Sequence, residues 1–189
     1  MMKLHIPQSA TVRRVVLLTL ALVAVFIIVG FFLPAQWRVE RQVVIAAPPA
    51  AVFPYLNDLK QWRAWTVWYA GKPDLKVEYS GPAAGVGATS RWQDEDGRGV
   101  MKIMDSRRNG LVEYTLVFDG GEFVMHGSLR LLPEPGGTRV VWRVVGDVET
   151  NPLRRYFAQV VRLWVGGDVK DSLEQLRVLL EKKNLTGRE

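Results

Sequence analysis

The chain has 189 residues, of which 48% are hydrophobic and 23% charged, with a formal net charge of +6 and no cysteine. This length indicates one domain with room for an accessory segment, and the composition excludes wholesale disorder and a fibrous repeat. Without cysteine there is no disulfide scaffold, thiol nucleophile, iron–sulfur cluster or cysteine zinc site. His5 and His126 are far apart in sequence, so we expect no histidine-based metal site and no cofactor.

The amino-terminal part predicts a membrane anchor. Residues 15–33 are apolar except for Thr19 and Gly30, and a helix of this length spans roughly 28 Å, close to the hydrocarbon thickness of a bilayer. More cations precede the run than directly follow it, which favours an amino terminus in the cytoplasm and a domain on the periplasmic or extracellular side of the cytoplasmic (inner) membrane of a bacterium. A cleaved signal peptide is the alternative, but its apolar core is usually shorter and its cleavage site needs small residues. A buried soluble helix is disfavoured because the run has no polar face.

The chain is therefore predicted to have four segments. They are a short cytoplasmic tail (1–14), a transmembrane helix (15–35), a folded domain (36–184) and a carboxy-terminal tail (185–189). Half of the net charge comes from three cations on the leading side of the helix: Lys3, Arg13 and Arg14. The mildly basic domain would lie outside the cytoplasm and shows no groove-reading helix, so we expect no nucleic-acid partner.

The folded domain is predicted to begin with a strand and two short helices. Residues 37–47 alternate apolar and polar side chains, as a strand with one buried face does, and a double proline ends the run. Proline suits the first turn of a helix over 50–56, which Pro54 limits or kinks. An Asn-Asp pair then suits the cap of a second short helix over 59–65.

A series of turns divides the next part of the chain. Asp96-Gly97 and Asn109-Gly110 are strong hairpin signals, because both central positions of a type I′ turn need a positive φ. The turns separate six β-rich runs: 75–80, 88–94, 99–106, 111–119, 122–133 and 138–148. This pattern predicts an antiparallel meander with one face turned to a core.

A long helix is predicted to end the domain. Asn151 suits its cap and Pro152 its first position, and apolar residues at helical spacing continue to about residue 184. Gly166-Gly167 interrupts the pattern and predicts a bend or weak point. Three cations are expected on a solvated face, with anionic lipid headgroups as the alternative partner: Arg154, Arg155 and Arg162. A sheet covered by such a helix is an α+β architecture.

Two segments resemble a known superfamily. The first segment is similar to the opening of the SRPBCC superfamily, also called the START-like or polyketide cyclase group. It consists of VVIAAPPAAVFPYLNDLKQW at 43–62, followed by Trp65 and Trp68. VEYSGPAAGVGATSRW at 77–92 resembles the next strand–loop–strand of its membrane-anchored bacterial members. The similarity covers residues 37–183. It implies a helix-grip fold, in which a curved antiparallel sheet of about seven strands wraps a long carboxy-terminal helix and leaves a deep cavity.

The resemblance implies a binding function more strongly than a reaction, because many relatives bind lipids, sterols or quinones. We expect a membrane-tethered protein whose partners are the lipid bilayer and a hydrophobic small molecule or lipid. A cyclase- or hydratase-type enzyme and a protein-binding adaptor of the same fold are the alternatives. His126 with a nearby carboxylate is the visible catalytic candidate, but it faces away from Phe123 and Met125 along its strand, so no catalytic residue is predicted.

The cavity is expected between inward-facing strand residues and the long helix, with a filled core as the alternative. Its predicted lining residues are Trp92, Met101, Ile103, Tyr114, Leu116, Phe118, Phe123, Met125, Trp142, Phe157, Val160 and Trp164. Three tryptophans are predicted to pack at the open end of the sheet or to form a rim that dips into the bilayer: Trp62, Trp65 and Trp68. The glycine-rich loop 81–87 lacks the lysine and following helix of a phosphate loop, so we expect Gly85 to lie over the cavity mouth.

Overall fold

A computed structural model gives the architecture of the chain. It describes residues 10–186 apart from 73, 96, 119, 122 and 148–151, and it leaves out the side chains of residues 11, 154, 157 and 184–186. The predicted cap Asn151 therefore lies outside the described residues. The elements follow in chain order as α1 (Ala10–Phe32), β1 (Gln36–Ile45), α2 (Pro49–Asn57), two short 3₁₀ helices (Gln61–Ala64 and Val67–Tyr69), β2 (Val77–Ser80), β3 (Thr89–Asp94), β4 (Gly97–Arg107), β5 (Leu111–Phe118), β6 (Phe123–Glu134), β7 (Gly137–Asp147) and α3 (Pro152–Thr186).

The seven strands form one antiparallel sheet in the order β1-β7-β6-β5-β4-β3-β2. Strands β2 to β7 make the predicted meander, and β1 joins its far edge by pairing with β7, with Gln36 opposite Asp147. The long α3 and the short helices pack on the buried face of this sheet. The α+β helix-grip architecture is thus confirmed.

Alternation along the strands builds the core beneath α3. In β7 every second residue is buried, including Val140, Trp142 and Val144, while the residues between them are partly exposed. The carboxy-terminal half of α3 supplies the facing layer at helical spacing: Val169, Leu173, Leu176 and Leu180. The apolar residues predicted for its amino-terminal half behave differently, because Leu153 and Trp164 are exposed.

The Gly166-Gly167 pair does not interrupt α3, which is one continuous helix. Gly166 is buried against β1, where an added Cβ would lie 3.0 Å from Nη2 of Arg41 and 3.8 Å from Cγ2 of Val39. Gly167 faces open space, with no heavy atom within 4 Å of an added Cβ. The first glycine therefore permits close approach of helix and strand, and the glycine pair does not break the helix.

We expect Gly167→Ala to raise the free energy of unfolding by about 0.5–1 kcal/mol, because alanine is the better helix former and its methyl group meets nothing. Gly166→Ala is the matched control, and it should gain less because its methyl group must displace Arg41. Denaturant unfolding of the full chain in detergent measures both. An equal gain at the two positions would mean that Gly166 has no packing role.

Candidate functional site: a cavity between the sheet and α3

A cavity of about 300 Å³ lies between the buried face of the sheet and α3. Its volume is at the lower end of the range for small-molecule sites. Its lining is mainly aromatic and aliphatic: Trp68, Tyr69, Lys72, Leu75, Trp92, Asp94, Gly97, Met101, Tyr114, Phe118, Met125, Val144, Val165 and Asp168. A wider depression of about 910 Å³ lies over β2, β3 and β4, but charged side chains contribute much of its wall. The smaller cavity is therefore the candidate site for an apolar ligand.

The cavity contains part of the predicted lining. The structure brings together Trp92, Met101, Tyr114, Phe118 and Met125. The following predicted residues are buried in the core and do not line the cavity: Ile103, Leu116 and Trp142. Phe123 is half-buried outside the lining, and the Phe157 side chain lies outside the described residues. Val160 and Trp164 are exposed on α3, so neither lines the cavity.

The tryptophans after α2 form an aromatic cluster beside the cavity. Trp62 and Trp65 are fully buried, and their indole N–H groups donate to backbone carbonyls of α2 at 3.0 and 3.1 Å. Both rings pack against Trp142, with centroid separations of 5.7 and 5.4 Å. Burial excludes a bilayer-dipping role for these two side chains. Trp68 is half-buried and lines the cavity.

Gly85 lies away from the cavity. Its loop joins Ser80 to Thr89, whereas the cavity is lined by Trp92 at the other end of β3. The Gly85 N–H donates to the Asn57 carbonyl at 2.9 Å and fixes the loop to the end of α2. Gly85 is therefore not among the residues that line this cavity.

Three aromatic rings on the buried face lie over glycines of the neighbouring strand. The register pairs are Trp37 with Gly146, Trp92 with Gly99 and Tyr114 with Gly127. A Cβ on any of these glycines would overlap ring atoms of its partner. Because glycine has no side chain, each ring lies against the sheet instead of projecting towards α3. The sheet thus accommodates large rings and still leaves a cavity above Trp92 and Tyr114.

We expect Gly127→Ala to lower the free energy of unfolding by about 1–3 kcal/mol, because the new methyl group would push the Tyr114 ring into the cavity. Gly110→Ala is the control, since the nearest atom to its added Cβ lies 3.7 Å away in a turn. Denaturant unfolding of both variants measures the difference. Equal stability of the two variants would show that Tyr114 does not need the glycine.

Polar groups also line the cavity, which sequence reasoning did not identify. Lys72 Nζ and Asp94 Oδ2 form an ion pair at 2.6 Å. Asp168 of α3 is half-buried, and burial raises the pKa of its carboxyl. A hydrogen bond with the Trp68 side chain lowers that pKa, and the charge of Asp171 raises it. The apolar wall therefore contains one carboxyl group whose charged form is disfavoured.

Two tyrosines add hydroxyl groups to the same wall. The Trp142 indole N–H donates to the Tyr114 hydroxyl at 2.9 Å, and burial raises the pKa of that phenol. Burial raises the pKa of Tyr69 to about 12. Both phenols are therefore neutral at physiological pH, and they can hydrogen-bond a ligand but do not act as bases.

We expect Asp168→Asn to stabilise the protein at neutral pH, because the native state there holds a carboxylate whose pKa is raised above its value in the unfolded chain. The folded chain binds the Asp168 proton more tightly than the unfolded chain does. The stability that this proton contributes is therefore fully present below the ordinary pKa of 3.8, and it is lost as the pH rises through the raised pKa of the folded state. The advantage of the variant should shrink on acidification. Unfolding at several pH values tests this, with exposed Asp74→Asn as control. A pH-independent difference would contradict it.

His126 is on the outer face of the sheet, as its strand position predicted. Its Nδ1 lies 3.2 Å from Oγ1 of Thr115, and the ring is exposed. It takes no part in the cavity. Among the described residues, no group of three or more His, Asp or Glu side chains is placed to hold a metal ion.

The cavity lies at the end of the sheet where β1 begins. Met125 pairs with Gly146, which also pairs with Trp37, the second residue of β1. Val144, also in the lining, pairs with Val39. Because α1 ends at Phe32, just before β1, the cavity is close to the carboxy-terminal end of the apolar helix.

A curved antiparallel sheet, a long packed helix and a cavity between them define a helix-grip protein. The family model described as polyketide cyclase / dehydrase and lipid transport matches residues 36–181, and the chain belongs to that family. No curated protein sequence matches the chain.

Solved structures show the same fold at low sequence identity. SA2116 from Staphylococcus aureus is 14% identical, with a TM-score of 0.62 over 79% of this chain and 96% of its own. TTHA0849 from Thermus thermophilus is 19% identical, with a TM-score of 0.57 over 76% of this chain and 97% of its own. Ms6760 from Mycobacterium smegmatis is 18% identical, with a TM-score of 0.53 over 77% and 92%. These similarities concern the fold alone.

Proposed function

We propose that the protein is a membrane-tethered binder of a hydrophobic small molecule or lipid, held without covalent chemistry in the cavity between the sheet and α3. The observation that carries the proposal is the mainly apolar cavity of about 300 Å³. Removing apolar ligand surface from water stabilises such a complex by about 25 cal/mol per Å². The family description, which includes lipid transport, supports the same class of ligand.

The tether in this proposal is α1, retained as a single-pass anchor. Residues Val12–Phe32 form the one helix, among the described residues, that is long and apolar enough to cross a membrane. We place the amino terminus (1–14) in the cytoplasm, the anchor at 15–35, the domain (36–184) on the periplasmic or extracellular side of the inner membrane, and a tail at 185–189. The excess of cations before the anchor supports this orientation.

Contacts between α1 and α3 support retention of the anchor. The Phe26 and Tyr156 rings stack with centroids 4.2 Å apart, and the Tyr156 hydroxyl donates to the Phe26 carbonyl at 2.7 Å. Arg155, which was expected to face solvent, donates to the Leu33 carbonyl at 3.0 Å and also to the Phe31 carbonyl. Carbonyls at a helix end have no partner within the helix, so Arg155 caps α1. A cleaved signal peptide would lose these contacts.

An enzyme of the cyclase or dehydrase type is the second candidate function, and Asp168 is the observation that favours it. Asp168 is a half-buried carboxyl group in a mainly apolar cavity, where it can exchange a proton with a bound substrate. A hydrophobic substrate converted by the full chain, with loss of turnover but not of binding in Asp168→Asn, would favour this candidate.

We expect Val165→Phe to weaken binding of an apolar fluorescent probe by about tenfold or more, equivalent to ~1.4 kcal/mol, because the ring would occupy the cavity. Val178→Phe is the matched control, since Val178 lies on the same helix but is exposed and away from the cavity. Titration of the full chain in detergent gives both affinities.

Native mass spectrometry should also find a co-purifying lipid or quinone. Equal probe affinity in the two variants, with no bound molecule, would contradict the proposal.

A further inference from the structure

The two halves of α3 expose different kinds of surface. Among the described side chains of residues 153–164, the exposed ones are Leu153, Val160, Arg162, Leu163 and Trp164. Four of these five are apolar, and Leu163 and Trp164 are 71% and 67% exposed. After Gly167 the exposed positions are mostly charged or polar: Lys170, Asp171, Glu174, Gln175, Lys182 and Lys183. A soluble helix would have polar residues on the solvent side throughout its length.

The exposed apolar residues lie away from the sheet. On a helical projection of 100° per residue, Leu153, Val160 and Trp164 fall on one side of α3, with Leu163 at its edge. The fully buried Ala158 and Val169 fall on the other side. α1 packs on Tyr156 near the start of the apolar side, whereas Val160, Leu163 and Trp164 further along it stay exposed.

The contacts of α3 with α1 place the first turns of α3 beside the carboxy-terminal end of the proposed anchor. A Cβ on Gly30 would lie 2.9 Å from Cβ of Pro152, and Tyr156 stacks on Phe26. Gly30 and Phe26 are two and six residues before the end of α1, which is roughly 3 and 9 Å along the helix. Interfacial helices bury their apolar face about 5–10 Å into the boundary between headgroups and acyl chains.

We propose that residues 153–164 of α3 form a second membrane contact, in which Leu153, Val160, Leu163 and Trp164 insert into the interface of the bilayer that α1 crosses. This inference rests on the proposed anchor. The occupant is lipid because the surface is continuous with the α1–α3 joint. Trp164 at the end of this surface is 67% exposed, and an indole ring prefers the membrane interface.

The second contact deepens the binding function by setting the position of the cavity mouth. Val165 and Asp168 line the cavity and directly follow Trp164 along α3. If Trp164 lies among lipid headgroups, the opening beside it is at the membrane surface. An apolar ligand then moves between bilayer and cavity without crossing bulk water, which removes the largest cost of its transfer.

The absence of cysteine from the chain makes a single-cysteine spin-label scan direct. Val160→Cys and Val178→Cys form a matched pair, because both valines are exposed on α3, at 42% and 54%. Leu163→Cys adds the most exposed position, and Leu18→Cys in α1 reports on the anchor itself. The labelled full chain is reconstituted into vesicles of phosphatidylethanolamine and phosphatidylglycerol, and accessibility to oxygen and to a water-soluble nickel chelate is measured.

The proposal expects labels at 160 and 163 to have an oxygen-to-nickel accessibility ratio several-fold above that at 178. Equal ratios at 160, 163 and 178, with a lipid-like ratio at 18, would overturn it and leave the anchor intact. A water-like ratio at 18 would overturn the anchor as well. Labels at 160 and 163 shielded from both reagents, with spin–spin broadening, would instead show that a second copy covers this surface.

Discussion

The packing of Tyr114 across Gly127 is the contact on which the cavity depends. The ring lies over the glycine, its hydroxyl accepts the Trp142 indole N–H, and its edge meets Trp62 at a centroid separation of 5.2 Å. One side chain thereby joins two strands and the tryptophan cluster. Because the ring lies against the sheet, α3 can rest above it with space between them. The same device recurs at Trp92 over Gly99, also within the cavity lining.

The fold was predictable because its signals are local. Hairpin glycines, alternation along β7 and helical spacing from Val169 to Leu180 each fix an element within a few residues. The cavity was predictable only as a set of inward positions. Whether an inward side chain fills the core, as Ile103 does, or lines a space, as Met101 does, depends on packing between distant elements. Asp168 could not be identified from the sequence, because its burial and its hydrogen bond with the Trp68 side chain depend on how α3 packs against a distant segment.

The positions of Gly85 and of the amino-terminal half of α3 differ from those expected from sequence for one physical reason. Glycine-rich loops and apolar stripes are informative only when the neighbouring surface is known. Gly85 packs on the end of α2, and Val160 and Trp164 face away from the sheet. A helical apolar stripe looks the same whether it faces a protein core or a lipid interface. The exposed positions of α3 after Gly167 are mostly polar, and this contrast is the basis for the proposed lipid contact.

The joint between α1 and α3 links the proposed tether to the proposed binding site. Arg155 caps the end of α1 from a helix that also forms a wall of the cavity, through Val165 and Asp168. In the proposed arrangement this joint sets the distance between bilayer and cavity, whereas a long linker without such contacts would allow the domain to rotate. The short connection from Phe32 to Gln36 supports this fixed geometry. Under the proposed function, a cavity held near the bilayer favours exchange of ligand with one leaflet, which would be a physical reason for attaching a lipophilic binding site to a membrane helix.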